Sequence, residues 1–498
     1  MATNADEALK TIDRLYRQLI ARQSLVTLTD NYYTGKQRLR FASDEWAEVH
    51  RSRYTDFADN WCAPVVNSLA ERLDVTGFRL GDTTGKPSDD EKLLWSDWVR
   101  NDMEMQSSMG LVHTMTSSRS HVLVWADPKS QEPISTWERS DEVIVDYDPE
   151  FLRKRRAALK TWFDDSTEYA NLYLPEVVYK FKRERGLYEN LLDKRPHKGA
   201  GSEFFEESGS IRKGSEGSWQ FVTEIPNPLG VVPIVELDNR PLLGAAPLSD
   251  IEGTIAMQDA VNLLWAYLFS AADFASMPAR VVMGQEAPKI PRLGANGKVV
   301  GYEPLPLEQF EKQRIAWLSG ENAKIGQWSA AELDPFLNVI QTAIAHIAAQ
   351  TRTPPHYLIL GKGMVNVNAD GMKAAETGLV KRAEEFQRFT SPAISEVFAL
   401  YALVRNNKEL AKSCRVGKPL WKDAENRSEA QLVDALLKLH QIGFPFEWIA
   451  ERYGVTQTEM VRLLEMREND LAIDPTMRAV HDALNGVATD DGTSDSPE

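Results

Sequence analysis

The sequence predicts a mainly helical α+β fold. Apolar residues recur at helical spacing near both ends and in the middle of the chain, whereas short β-branched or aromatic runs fall between residues 121 and 235. Hydrophobic residues make up 43% and charged residues 26% of the 498, which is the composition of a globular protein. A chain of this length is long enough for roughly two to four domains.

The charge balance argues against a protein whose whole surface binds nucleic acid. The chain has 57 Lys and Arg residues against 73 Asp and Glu, a formal net charge of −16. Because phosphate binding requires a basic surface, we do not expect the protein to bind nucleic acid with its whole surface. The same charge is compatible with a protein past which DNA slides without sticking.

Neither a disulfide scaffold nor a membrane protein is predicted. Cys62 and Cys414 are too few for a disulfide framework or a four-ligand zinc site, and each is expected in the core. The first residues lack the basic and apolar regions of a signal peptide, and the chain is expected to be intracellular where it is made. The most apolar stretch, 261–272, is shorter than the ~20 residues of a membrane span.

Periodicity in the first half of the chain predicts two helices, four strands and a mobile loop. The helices are expected at 5–29 and 57–73, the strands at 121–125, 142–146, 176–181 and 231–235, and the loop at 197–218.

Two helices with polar stripes are predicted in the middle of the chain. Ser249 and Glu252 have the spacing of a capping box for a helix that runs to about residue 275. Asp334 and Pro335 open a second helix that runs to about residue 352. Each helix is expected to have one solvent-exposed polar face and to be buried elsewhere. The polar stripes are Asp250, Thr254, Gln258 and Asn262 in the first helix, and Asn338, Thr342, His346 and Gln350 in the second.

The last third of the chain is expected to be mainly helical. Residues 353–368 are predicted to form a loop, and a very long helix begins near Ala369 and kinks at Pro392. Three short helices are expected at 428–468, and the last dozen residues form an acidic tail that we expect to be disordered.

Motifs that would support catalysis or metal binding are weak. Residues 81–87 resemble a phosphate-binding loop, but the glycine spacing is one residue short and Pro87 replaces the Ser or Thr that would bind Mg²⁺. His113 and His121 have no third ligand nearby in the sequence and are interpreted as structural. An intracellular enzyme of unrecognised type stays open as an alternative.

Two charged segments allow more than one interpretation. Asp146 and Asp148 are interpreted either as a cation site or as the solvated end of a strand. The basic run 153–156 is interpreted as a charged surface or a subunit contact in preference to a nucleic-acid site.

A sharper motif lies at 447–467. It has the Ala, Gly and apolar spacing of a helix-turn-helix, and Thr456 with Glu459 forms a capping box for the second helix. Glutamates outnumber arginines there, which is the wrong balance for a helix that faces phosphates. A DNA-binding regulator and a helical hairpin that only packs are therefore both considered.

Several segments together resemble the portal (connector) proteins of tailed double-stranded DNA phages, of the type common in long-tailed phages of actinobacteria. The similar segments follow the family's order from about residue 31 to 467, nearly the whole chain; Gly371 departs from the residues common there. The segments are Asn31-Tyr-Tyr-Thr-Gly35, 60–67, 233–241, 247–252, 258–262 and 368–375.

The resemblance implies a dodecameric ring with a central DNA channel at one vertex of the capsid, built from parts called wing, stem, clip and crown. The parts are assigned as N-terminal wing 1–247, stem helix 248–276, clip 277–333, second stem helix 334–352, tunnel loop 353–368, long kinked wing helix 369–410, crown 411–486 and disordered tail 487–498.

The resemblance and the residue pattern together assign candidate surfaces. The tunnel-loop residues that would face DNA are Gly361, Lys362, Gly363, Met364, Asn366 and Asn368. The stem residues that would contact neighbouring subunits are Leu264, Trp265 and Phe269. The clip residues that would bind partner proteins are Glu303, Glu308, Lys312 and Trp317. Expected partners are further copies of the chain, double-stranded DNA, terminase, a head-completion adaptor, and capsid and scaffolding proteins. No cofactor, metal, catalytic residue or membrane is expected. The expected location is the portal vertex of the virion, and the host cytoplasm during assembly.

Overall fold

A computed structural model describes most of the chain and contains both helices and sheets, as predicted. The described residues are 5–37, 58–81, 87–164, 167–184, 218–276, 280–283, 289–293, 297–304, 315–318, 324–327, 332–358, 369–425 and 429–473. The helices are α1 (Ala5–Thr34), α2 (Cys62–Ala70), α3 (Asp89–Arg100), α4 (Met103–Ser117), α5 (Ile255–Ser276), α6 (Asp334–Thr351), α7 (Pro355–Leu358), α8 (Ala369–Val404), α9 (Lys408–Val416), α10 (Glu429–Gln441), α11 (Phe446–Tyr453) and α12 (Gln457–Ile473). The strands are β1 (Val75–Arg79), β2 (Arg119–Ala126), β3 (Pro133–Glu138), β4 (Val143–Tyr147), β5 (Arg155–Asp164), β6 (Thr167–Tyr173), β7 (Val177–Glu184), β8 (Gln220–Pro226), β9 (Ile234–Asp238), β10 (Arg280–Met283), β11 (Lys289–Leu293), β12 (Val299–Pro304), β13 (Ile315–Leu318), β14 (Lys324–Gln327) and β15 (Lys418–Trp421).

The chain divides into two units, each of which is described by itself. The first contains Met1–Tyr33, Val65–Glu252 and Ala369–Glu498, and the second contains Thr34–Pro64 and Gly253–Asn368. Residues 34–64 therefore group with the middle of the chain, although the sequence suggested that they belong with the N-terminal part. Most of the loop predicted at 197–218 and the tail predicted at 487–498 lie outside the described residues.

Two antiparallel sheets form the centre of the first unit. One sheet contains β4 to β8 in chain order, and the other has β2 between β3 and β9. The apolar stripe of α1 packs on one face of the larger sheet, where Leu15 and Leu19 are buried with Leu159 and Leu172. The opposite face of that sheet packs against Ile234 of the smaller sheet.

Helices cover the remaining face of the smaller sheet. Both α4 and α8 contact it, and α4 crosses it closely enough for Gly110 to lie against the ring of Trp137. The hydroxyl groups of Ser135 on β3 and Tyr401 on α8 lie 2.6 Å apart, so a polar contact joins these two elements in the core. Helices α3 and α4 were not among the elements predicted from the sequence.

The long helix α8 ends earlier than predicted. It contains Pro392, as expected, but stops at Val404 and not near residue 410. Asn406 takes a left-handed conformation with φ 58°, and the side chain of Asn407 accepts a hydrogen bond from the backbone N–H of Leu410 at 2.9 Å. This turn and cap start the separate helix α9, which packs back against α8.

In its described residues, the second unit contains the helices α5 and α6, the short helix α7 and two small sheets. Helices α5 and α6 pack against each other. In one sheet β10 lies between β13, to which it is parallel, and β14, to which it is antiparallel; the other is the hairpin of β11 and β12. Within the described part of the chain, every helix is too short or too polar to cross a membrane.

Candidate assembly and channel surfaces

The helix predicted from Ser249 begins only at Ile255, after a short 3-10 turn at 252–254, so Asp250 and Thr254 precede α5. All four residues of the predicted polar stripe are buried, so the predicted solvent-exposed face is wrong.

Gln258 and Asn262 are 0% and 2% exposed, because segment 58–62, which leads into α2, lies along them. Asn262 Oδ1 accepts from the backbone N–H of Asp59 at 2.9 Å, and Gln258 Oε1 accepts from the backbone N–H of Trp61 at 2.8 Å. The amide of Gln258 also donates to the carbonyl of Asp59. The two side chains thus serve the backbone groups of a segment that lies outside any sheet.

The carboxylate of Asp59 joins two tryptophans in the second unit. Its Oδ2 accepts from the indole N–H of Trp61 at 2.9 Å and of Trp265 at 2.7 Å. The ring of Trp265 also stacks on Phe269, with 5.5 Å between ring centroids. Leu264, Trp265 and Phe269 are each half-buried in the single chain. The three residues predicted at a subunit contact therefore keep some exposed surface, but Trp265 also has a role within the chain.

Replacing Gln258 by Ala is expected to release segment 58–62 from α5. The change leaves the N–H of Trp61 and the carbonyl of Asp59 without their amide partner, at a cost of about 1–3 kcal/mol. Hydrogen exchange by mass spectrometry should show faster exchange in peptides that contain 58–62. Thr342→Ala, on the exposed stripe of α6, is the control; equal protection in both variants would contradict this role for Gln258.

The polar stripe of α6 is exposed, as predicted, and its apolar face is buried. The helix begins at Asp334 with Leu333 as its N-cap, so Asp334 is the first helical residue and not the cap. Pro335 lies in the first turn, where a missing N–H costs no helical bond. The exposed polar residues are Asn338, Thr342, His346 and Gln350, and the buried apolar residues include Ile340, Ala343, Ile344 and Ile347.

Of the predicted clip residues, Glu303 is the one whose side chain the structure describes. It lies on β12 and forms an ion pair of 3.1 Å with Arg292 of the neighbouring strand. Both side chains are well exposed, so the pair contributes little to stability. Val300 and Tyr302 on the same strand are 72% and 67% exposed. Successive side chains of a strand point to opposite faces, so the exposed ring of Tyr302 lies on the other face of the hairpin from Glu303.

The other clip candidates are described less fully. Glu308 and Lys312 lie outside the described residues. The backbone of Trp317 lies in β13, where it is paired with Val282 of β10. Their assignment to partner binding stays a prediction.

The predicted tunnel loop begins with regular structure. Arg352 ends α6 in a left-handed conformation with φ 55°, and residues 355–358 form the short helix α7, in which Leu358 is buried. The irregular part of the loop is thus shorter than predicted at its start. The DNA-facing candidates Gly361, Lys362, Gly363, Met364, Asn366 and Asn368 lie outside the described residues.

The local capping prediction in the helix-turn-helix motif is confirmed. Glu459 Oε2 accepts from the N–H of Thr456 at 3.0 Å, and Thr456 Oγ1 accepts from the N–H of Glu459 at 3.4 Å. Gly454 takes a left-handed conformation with φ 106° at the end of α11. Helices α11 and α12 therefore form the hairpin that the sequence predicted.

The start of α12 packs against other parts of the first unit, so the DNA-binding alternative is not supported. In helix-turn-helix proteins the N-terminal residues of the second helix contact base edges. Here Gln457 accepts from the backbone N–H of Phe78 at 2.8 Å, and Thr458 accepts from the indole N–H of Trp95 at 3.0 Å. Met460 is 1% exposed. The residues that would contact DNA bases are used in packing.

His113 and His121 are structural, as predicted. The N–H of Ser140 donates to His113 Nε2 at 3.1 Å, and burial is the main cause that lowers the pKa of His113 to about 3. His121 Nε2 lies 3.0 Å from Glu236 Oε2 in a fully buried site, and burial lowers the pKa of His121 as well. Among the described residues, no group of three His, Cys, Asp or Glu side chains is placed to hold a metal ion.

The cysteines and the Asp146 carboxylate also have structural roles. Cys62 and Cys414 are buried, and burial raises the pKa of both thiols to about 12. Burial raises the pKa of Asp146, but Arg14 and Arg156 outweigh this effect and hold that pKa below its ordinary value. A carboxylate that is already paired with two arginines is a poor cation ligand, which favours the strand-end interpretation.

Two curated relatives are both named portal protein. One is from Mycobacterium phage D29, with 25% identity over 428 residues that cover 82% of this chain and 78% of the relative. The other is from Mycobacterium phage L5, with 25% identity over 394 residues that cover 76% and 71%. These relatives define the class: a portal protein of a bacteriophage.

The family model described as phage portal protein, SPP1 Gp6-like, matches residues 12–470. The chain belongs to this family, and it is a phage portal protein and a virion component. The resemblance inferred from the sequence is thereby confirmed.

Two solved structures are also similar to the chain. One is the neck of a native gene transfer agent (GTA) particle computed with C12 symmetry, with 13% identity, a TM-score of 0.40 and coverage of 82% of this chain and 92% of that one. The other is the virion of the native gene transfer agent particle, with 12% identity, a TM-score of 0.42 and coverage of 86% and 99%. Likeness at this level supports no conclusion about this chain.

Proposed function

We propose that twelve copies of this portal protein form a ring at one vertex of the capsid, through which DNA enters during packaging and leaves at ejection. The observation that carries the proposal is the family match across residues 12–470. The net charge of −16 per chain also supports it, because an acidic conduit disfavours lasting phosphate contacts. The protein would act as a structural conduit, and the ATPase of the packaging motor would be supplied by a separate terminase.

The parts of the ring follow from the sequence assignments. We place the stem at 248–276 and 334–352, the clip at 277–333, and the tunnel loop within 353–368. The exposed polar stripe and the buried apolar face of α6 suit a stem helix with one face exposed to solvent. Leu264, Trp265 and Phe269 would add contacts between neighbouring stems, since their surfaces are not fully covered within one chain.

The clip would serve two partners in turn. Terminase would bind it during packaging, and a head-completion adaptor would replace terminase afterwards. The hairpin of β11 and β12 would offer a partner charged side chains on the face of Glu303 and Arg292, and the exposed ring of Tyr302 on the other face. Capsid and scaffolding proteins would contact the ring during its assembly in the host cytoplasm.

The mass of the assembled particle tests the ring. Twelve copies of the 56.1 kDa chain give about 670 kDa, so mass photometry of the purified protein should show a single large species near that value. Negative-stain images of that species should show twelvefold rings with a central channel. A stable monomer or dimer as the only species would contradict the proposal.

Replacing Lys362 by Ala is expected to change the packaging rate or the retention of packaged DNA without unfolding the ring. Lys362 is the only formally charged residue in 353–368, and a ring would repeat it in every subunit. A lysine that faced the channel would contribute little to stability, whereas its phosphate contacts would depend directly on its charge. In vitro packaging at several salt concentrations measures the effect. Lys129→Ala, in the exposed turn between β2 and β3, is the control, and packaging that is equal in both variants would argue against a DNA contact by Lys362.

A further inference from the structure

The turn between β4 and β5 presents two apolar residues to solvent. Phe151 is 59% exposed and Leu152 is 75% exposed. Arg153 and Lys154 follow directly and are also exposed. We call residues 151–154 the hairpin tip. Apolar and basic side chains side by side at the end of a hairpin are typical of a contact site, because exposed aromatic and aliphatic groups gain free energy when a partner covers them.

Hydrogen bonds hold the hairpin tip in one conformation. Asp148 Oδ1 accepts from the backbone N–H of Glu150 at 2.9 Å, and the backbone N–H of Asp148 donates to the carbonyl of Lys154 at 2.8 Å. The N–H of Lys154 in turn donates to the carbonyl of Phe151 at 2.7 Å. A tip that is ordered before binding loses little conformational entropy when a partner covers it.

Ion pairs tie the base of the hairpin to two helices. Arg14 of α1 binds Asp146 at 2.6 Å, and Arg156 binds the same carboxylate. Arg155 binds Glu396 of α8 at 2.6 Å. Two of the four residues of the basic run 153–156 thus form ion pairs within the first unit. These ion pairs fix the base of the hairpin from which the tip extends.

The other half of the basic run remains available. Arg153 and Lys154 form no ion pair with any residue that the structure describes. The chain as a whole carries a net charge of −16, so a basic tip is the exception on an acidic protein. Another copy of the same chain therefore offers acidic surface that complements the charge of the tip.

We propose that the hairpin tip docks on an acidic surface of a neighbouring copy in the ring, with Phe151 and Leu152 as apolar anchors and Arg153 and Lys154 as the charges that orient them. The inference rests on the ring proposed above and adds a specific contact to it. A ring needs a heterologous contact, in which one surface of each copy meets a different surface of the next, and a protruding tip suits that arrangement.

The composition of the tip favours protein over DNA as the partner. Phosphate contacts are made by basic and polar side chains and would leave Phe151 and Leu152 in water. Aromatic residues and Arg, such as Phe151 and Arg153, are instead enriched in protein–protein interfaces. The competing DNA contact is a distinct outcome of the experiment below.

Photo-crosslinking identifies the occupant directly. A benzophenone amino acid at position 151 in the assembled full-length ring is expected to join two copies of the chain, to a product of twice 56.1 kDa. Mass spectrometry should place the crosslink in a peptide of the second copy that is rich in Asp and Glu. A crosslink within one chain, or to duplex DNA added to the ring, would overturn the proposal.

Assembly measurements test the two kinds of side chain separately. Phe151→Ser with Leu152→Ser should raise the protomer concentration at half-assembly about tenfold or more, because apolar burial at the contact is lost. Lys154→Glu should raise it severalfold at low salt and progressively less at high salt, because salt screens exposed charges. Lys129→Glu makes the same charge change in another exposed turn and should leave assembly as in the unmodified chain.

The outcomes separate this contact from the ring itself. All of these side chains are exposed, so the variants should keep the thermal stability of the unmodified protomer. Rings that assemble at the unmodified concentration in both tip variants would overturn the tip contact and leave the ring intact. An unmodified protein that forms no ring would overturn the ring and the tip contact together. Reduced DNA binding by Lys154→Glu with normal assembly would assign the tip to DNA and reject the proposal.

Discussion

Gly110→Ala is expected to destabilise the first unit by about 3 kcal/mol. A Cβ at residue 110 would lie 2.1 Å from Cε2 and Nε1 of Trp137, far closer than carbon atoms approach in folded proteins. The indole cannot move aside cheaply, because its N–H donates to Ser120 Oγ at 2.8 Å and the backbone N–H of Trp137 donates to Gln106 Oε1 at 2.8 Å. Relief therefore requires α4 to move away from the smaller sheet.

Hydrogen exchange in β2 and β3 measures this effect. Both strands should open more readily in Gly110→Ala than in the unmodified chain, by a factor of about a hundred for 3 kcal/mol. Gly301→Ala is the matched control, since a Cβ there meets no atom within 4 Å and its φ is not positive. Unchanged protection of β2 and β3 would mean that α4 and β3 are not packed at this distance.

Asp97→Ala is expected to destabilise the contact between α3 and the end of α8 by about 3 kcal/mol. The carboxylate of Asp97 is fully buried and accepts two hydrogen bonds from Arg405, at 2.8 and 2.6 Å. It also accepts from Arg100 at 2.5 Å. Removing it leaves the partly buried Arg405 without its carboxylate partner, which costs more than the pair contributes.

Urea unfolding of the protomer, followed by tryptophan fluorescence, tests this prediction. Trp98 lies one residue from Asp97, is fully buried and stacks with Phe398 of α8 at 5.3 Å between centroids, so it reports on this contact. Asp89→Ala is the control: it removes an exposed ion pair with Lys92 from the same helix and should change stability by less than about 1 kcal/mol. Equal midpoints for the two variants would refute the role assigned to Asp97.

The two polar stripes show that sequence periodicity predicts the exposed face of one helix correctly and that of the other wrongly. In both predicted segments polar residues recur every four positions, and both contain a helix, although α5 begins at Ile255 and not after Ser249. On α6 the stripe is exposed, whereas on α5 Gln258 and Asn262 are covered by segment 58–62. Periodicity predicts that one face is polar; whether water or a backbone segment satisfies that face depends on residues about 200 positions away.

In the motif at 447–467, too, the local features could be predicted from the sequence and the long-range contacts could not. The turn, the cap at Thr456 and the hairpin of α11 and α12 depend on neighbours within a few residues, and the sequence predicted them correctly. The use of Gln457 to bind the backbone of Phe78 could not be predicted, because these residues are distant in the chain. The acidic balance of the motif was the sequence signal that argued against DNA.

The hairpin tip was only partly visible in the sequence. The basic run 153–156 by itself indicates a charged surface or a subunit contact, but it does not indicate that Phe151 and Leu152 are exposed. Their signal was two consecutive apolar residues directly after the turn residues 148–150, next to a basic run. The structure divides the run into residues that brace the hairpin and residues that face solvent.

Patterns along the chain are enough to predict the family, the α+β character, most helix positions and the local caps. These follow from residues close together in the chain, where spacing and side-chain chemistry act directly, or from a similarity that extends over most of it. The tertiary structure alone decided which polar groups are buried, which arginines are paired and which apolar residues stay exposed. Burial and pairing depend on contacts between distant segments, because a side chain loses its water only when another element covers it.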